Sequence, residues 1–147
     1  MAQEEDTSKP LNDEGIRRVQ QVVGELLWVG LAVNNKLLVS LSTIGSQQAS
    51  ATEETNKEIN QILDYCATYP EDGIIYRARD VILAGHSDAG FNNKTKAKSR
   101  AGDHIFLSEN ESIPCWNGPV LTIAQIMRYV VSSAAEAEMT DLFLTTK

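Results

Sequence analysis

A chain of 147 residues with 42 % apolar content is long enough for one domain, or for a small domain with an appended piece, and its composition excludes wholesale disorder. Its net charge of −7 excludes a generally basic nucleic-acid binder, because neutralising phosphates takes clustered Lys and Arg. Cys66 and Cys115 have no CxxC partner and no His cluster, which argues against zinc and against a disulfide framework and leaves two reduced, half-buried thiols as the expectation.

Residues 1–14 carry five acids against Lys9 and little apolar content, which predicts a disordered acidic tail. From Gly15 onward Ile16, Val19, Val23, Leu26, Leu27 and Gly30 recur at steps of three and four. That spacing predicts an amphipathic helix with Arg17 and Arg18 on its solvent face and a break at Asn34-Asn35. The apolar stretch 22–41 is interrupted by Glu25 and by Asn34-Asn35-Lys36. It is too polar to span a bilayer and too far along for a signal peptide, so we expect no membrane partner and an intracellular location, cytoplasmic or nuclear rather than secreted.

A second helical piece is predicted from Lys36 to about Ile44, and Ser50 with Glu53 stands at capping-box spacing before a third helix. Ile59, Ile62, Leu63 and Cys66 form the apolar stripe of that helix, and Tyr69-Pro70-Glu71-Asp72-Gly73 ends it. The chain then turns β-rich at 73–77, 80–87, 104–108 and 125–131, which predicts strands joined by hairpins. Ser133 and Glu136 repeat the capping spacing ahead of a last helix from Ala134. The expected class is α+β, with a helical segment over 15–72 and a sheet with a packed helix over 73–147.

The stretch "GHSDAGF", residues 85–91, ends an apolar run with a single carboxylate, Asp88. Ser, Asp and Gly are also ordinary turn formers. Glu138 lies early in the last helix, and if that helix crosses the sheet the two acids meet as oxygen ligands for Mg²⁺ or Mn²⁺. Lys94, Lys96, Lys98 and Arg100 stand at alternate positions, so an extended strand would aim all four to one side as phosphate contacts; a solvated hairpin loop is the plainer reading. Trp116 and Tyr129 read as packing residues, and His86 and His104 as structural or exposed.

The order of these pieces resembles the polymerase of copia-type retrotransposons, at the end of the reverse transcriptase and the start of its ribonuclease H domain. Val22 to Trp28 is similar to the family's V-G-x-L-L-Y helix, and Ile62-Leu63-Asp64-Tyr65 to its I-L-x-Y-L helix. His86 to Phe91 resembles Y-S-D-A-x-[WF], Lys98 to Gly102 resembles [KR]-S-x-x-G, and Ser133 to Met139 resembles S-S-A-E-A-E-Y.

The resemblance implies a reverse transcriptase connection-like segment over 15–72 and an incomplete ribonuclease H-like fold over 73–147. It also implies Asp88 and Glu138 as catalytic metal ligands, Mg²⁺ or Mn²⁺ as cofactor, and an RNA–DNA hybrid whose RNA strand is hydrolysed. A longer polymerase chain is a further implied partner. The family uses more aspartates on later elements, and this sequence stops at Lys147, so weak metal binding, impaired hydrolysis and an open edge on the first strand are expected. The alternative is a catalytically inactive remnant serving as a nucleic-acid or protein interaction module.

Overall fold

The computed structural model describes residues 6–94 and 98–145. They form an α+β chain of four α-helices and a three-stranded antiparallel sheet, in two compact units whose boundary in the sequence lies between Gly73 and Ile74.

In the first unit α1 (Asp13–Ala32), α2 (Leu38–Gly45) and α3 (Glu53–Thr68) are joined by two 3₁₀ turns, Asn35–Leu37 and Gln48–Ser50. The Asn12 side chain accepts the Gly15 N–H at 2.9 Å, and Asp13 and Glu14 place negative charge in the first turn of α1, so this helix starts earlier than its apolar periodicity predicts. Val19 and Val23 of α1, Leu41 and Ile44 of α2, and Ile59 and Ile62 of α3 share one core. Gly30 allows α1 and α2 to close, since a Cβ there would stand 2.9 Å from Leu38 Cδ2. Leu27, expected on the apolar face, is exposed. Each step of four overshoots a turn, and two such steps from Val19 carry Leu27 about 80° around the helix.

Residues 6–12, expected as part of a disordered tail, instead run as a strap across the start of α3. Leu11 N–H donates to the Ala51 carbonyl and Glu53 N–H to the Lys9 carbonyl, both at 2.9 Å, while the Thr52 hydroxyl donates to Asp6. A helix N-terminus has N–H groups with no intrahelical acceptor, and the strap supplies some of the missing ones. The rest of the predicted tail, residues 1–5, lies outside the described residues. The capping box also moves. Thr52 and Thr55 bond reciprocally through their side chains and backbone N–H groups, at 3.3 and 3.1 Å, because Ser50 is spent in a 3₁₀ turn and Ala51 is extended.

The second unit holds β1 (Ile82–Lys94), β2 (Lys98–Ser108) and β3 (Pro119–Ile126) in the order β1-β2-β3, followed by α4 (Ala134–Thr145). Ser87 pairs with Asp103, Asp88 with Gly102 and Ala89 with Ala101. β1 and β2 run further into their hairpin than the apolar runs predict, since ladder hydrogen bonds carry polar residues as readily as apolar ones. Residues 74–80, part of which was predicted as a strand, lie outside the sheet. Arg77 exchanges its N–H and C=O with the Asn117 side chain, at 2.8 and 3.0 Å, rather than with a neighbouring strand.

The predicted strand over 125–131 ends at Ile126. Beyond it Met127 and Val131 are buried, in one cluster with Ala101 and Ala137. Ser133 Oγ accepts the Glu136 N–H at 3.1 Å at the start of α4, and α4 packs mainly against β1.

Candidate functional site

The pleat of β1 and β2 decides which residues meet α4. Ala89 and Ala101 pack with Ala137, and Asp103 Oδ1 accepts the Thr145 hydroxyl at 2.6 Å, so Ser87, Ala89, Ala101 and Asp103 share the α4 face. Strand side chains alternate, which sends Asp88 with His86 to the opposite face, where both are exposed. Glu138 is exposed on α4, one residue beyond the buried Ala137. The two acids predicted as a pair therefore sit on either side of the sheet layer.

Both nevertheless act on a third acid. Asp141 follows Ala137 by one helical turn, which turns its carboxylate into the interface with the sheet, where it is 0 % exposed. Burial pushes its pKa from 3.8 up to about 6, and the charges of Asp103, Glu138 and Asp88 push it the same way. The Gly102 amide pulls weakly in the other direction without reaching hydrogen-bond geometry. Both Asp141 oxygens, and Oδ2 of the equally buried Asp103, have no hydrogen-bond partner among the described residues. Neither Asp103 nor Asp141 was expected as a site residue. Asp141 does carry a sequence signal, since it occupies the inward position four after Ala137 and three before Leu144, where an apolar residue is the rule.

The predicted basic row is folded in two. β1 ends at Lys94 and β2 begins at Lys98, the two being register partners across the hairpin, so the four cations do not follow one extended strand. Lys96 lies outside the described residues. Arg100 is buried, and desolvation lowers its pKa, which removes it from any exposed row of phosphate contacts.

On the face that Asp88 shares, Phe106 is fully buried beneath parallel rings. His86 stacks on Trp116 at 4.2 Å between centroids, and Trp116 on Phe106 at 5.5 Å. His104 is tilted against Trp116, and its Nε2 lies 3.0 Å from the Asn117 carbonyl. Trp116 thus packs through one side only, and Tyr129, expected to pack, is 79 % exposed.

No family model, curated protein or solved structure matches this chain. Other candidate features use different residues. Glu109, Glu111 and Cys115 form the only group of three metal-ligating side chains among the described residues with ligand atoms within 4.8 Å of one another. Glu109 is already held in an ion pair by Arg79. A groove of about 530 Å³ in the helical unit is lined by Lys36, Val39, Ser40, Glu58, Gln61 and Tyr65. At its end Lys36 and Tyr65 both donate to Asp72, which holds that carboxyl below its usual range. Cys66 and Cys115 are free and half-buried. Among the described residues no helix is long and apolar enough to cross a membrane.

Proposed function

We propose that the sheet unit is a ribonuclease H-like segment of a copia-type retrotransposon polymerase, directed at the RNA strand of an RNA–DNA hybrid. The motif order supports this reading. So does one structural observation: α4, which carries Glu138, packs mainly against β1, the strand that carries Asp88. The buried orphan oxygens of Asp103 and Asp141 give the neighbourhood an all-oxygen donor set, the chemistry that Mg²⁺ and Mn²⁺ prefer. By the motif resemblance Asp88 and Glu138 are the assigned ligands, of which only Glu138 lies on the α4 side of the sheet with Asp103 and Asp141; a bound ion would supply an activated water and charge stabilisation for the departing oxygen. By the same reading Lys94 and Lys98, register partners at the β1–β2 hairpin, would contact the hybrid backbone.

The test is cleavage of a labelled RNA–DNA hybrid by the full chain with Mg²⁺ or Mn²⁺, beside Asp88→Asn and Glu138→Gln. Cleavage lost in both variants is expected; cleavage surviving in both rejects the assignment. One observation favours the alternative, an interaction module without catalysis: the pleat separates Asp88 from α4. That reading expects no cleavage but salt-sensitive binding of the hybrid.

A further inference from the structure

We propose that Asp103 and Asp141 form the floor of a binding site for a hard divalent cation, with the Glu138 carboxylate at its edge. Neither floor residue belongs to the motifs that carry the family resemblance, so the inference does not rest on hybrid cleavage. The acids come from two elements, β2 and α4, linked through the Thr145 hydroxyl, which is bonded to Asp103 Oδ1 at 2.6 Å and to the Asp141 carbonyl at 3.0 Å.

What points to a ligand is the combination of burial and missing partners. Asp141 is 0 % and Asp103 3 % exposed, yet among the described residues three of their four carboxylate oxygens have no hydrogen-bond partner. Buried carboxylates are ordinarily paired or metal-bound, because desolvating an uncompensated charge is costly. The charges acting on Asp141 are all negative. A cation bound by oxygens removes both defects at once, filling the empty lone pairs and cancelling the repulsion. Glu138, one turn before Asp141 and exposed, gives the ion a solvated point of entry.

The experiment titrates the full chain with Mn²⁺ at pH 7.5, reading free Mn²⁺ by electron paramagnetic resonance and thermal stability with and without the ion. We expect saturable uptake that raises the melting temperature. Asp103→Asn and Asp141→Asn should each weaken uptake on the order of tenfold or more. Glu25→Gln, at an exposed position of α1, leaves it unchanged. Melts in EDTA show whether each variant is folded, so that lost uptake in a folded variant reports the site. Should one Asn variant fail to fold, the other still decides. Absence of saturable uptake by the parent chain, or uptake unaltered in the folded Asn variants, overturns the proposal. Uptake that depends on Asp103 and Asp141 without any hybrid cleavage supports this site while sinking the nuclease reading.

Discussion

Replacing Asp141 by Asn in metal-free buffer should stabilise the sheet unit, by an amount that grows with pH. The native pKa of about 6 lies above the 3.8 of an ordinary aspartate, so the folded state binds more protons than the unfolded state between those values. Stability therefore falls as the pH rises from about 3.8 to about 6, and the loss is complete above that window. At about 1.4 kcal/mol per pH unit the gap corresponds to about 3 kcal/mol. Asn has the same shape and carries no charge, and its amide can donate to the orphan Oδ2 of Asp103. The variant should thus match the parent near pH 4 and exceed it by about 2–3 kcal/mol at pH 7.5. For a unit of this size that is a rise in melting temperature on the order of 10 °C or more.

The assay is urea unfolding in EDTA across pH 4–8, followed by tryptophan fluorescence in a Trp28→Phe background. Trp28 is 68 % exposed in the helical unit, so its removal leaves Trp116 as the sole tryptophan reporter, within the sheet unit. Parent and variant curves that run parallel over the whole range, or a parent that gains stability between pH 4 and 7, would refute the reasoning.

Two further predictions concern the helical unit and use urea midpoints by far-ultraviolet circular dichroism. Leu41→Ala, at a site 1 % exposed, should cost about 2–5 kcal/mol. Leu31→Ala, at a site 56 % exposed, should stay within about 0.5 kcal/mol. Thr52→Ala removes a reciprocal cap and the hydroxyl that holds Asp6, and should cost about 1–2 kcal/mol. Ser50→Ala, at the position where the spacing alone places the cap, should change little; equal effects at 50 and 52 would contradict the observed helix start.

The local periodicities by themselves determined that residues near 16–30, 38–44 and 53–66 are helical, that strands lie near 82–87 and 104–108, and that Ser133 opens the last helix. Those features depend on neighbours within a turn or across a pleat, and such neighbours are adjacent in the sequence. Pairing Asp88 with Glu138 rested on motif resemblance, because the 49 intervening residues conceal which strand face the helix covers. Tertiary structure decided that Ala89 rather than Asp88 faces α4, that Asp103 lies beneath it, and that Asp141 is buried between them. It also decided that an acidic, polar N-terminal stretch becomes a strap, since its worth depends on the free N–H groups of a helix forty residues away. Composition and spacing describe what a side chain prefers. What lies opposite it, and hence whether a carboxylate meets water, a hydroxyl or another carboxylate, is set only when distant segments pack.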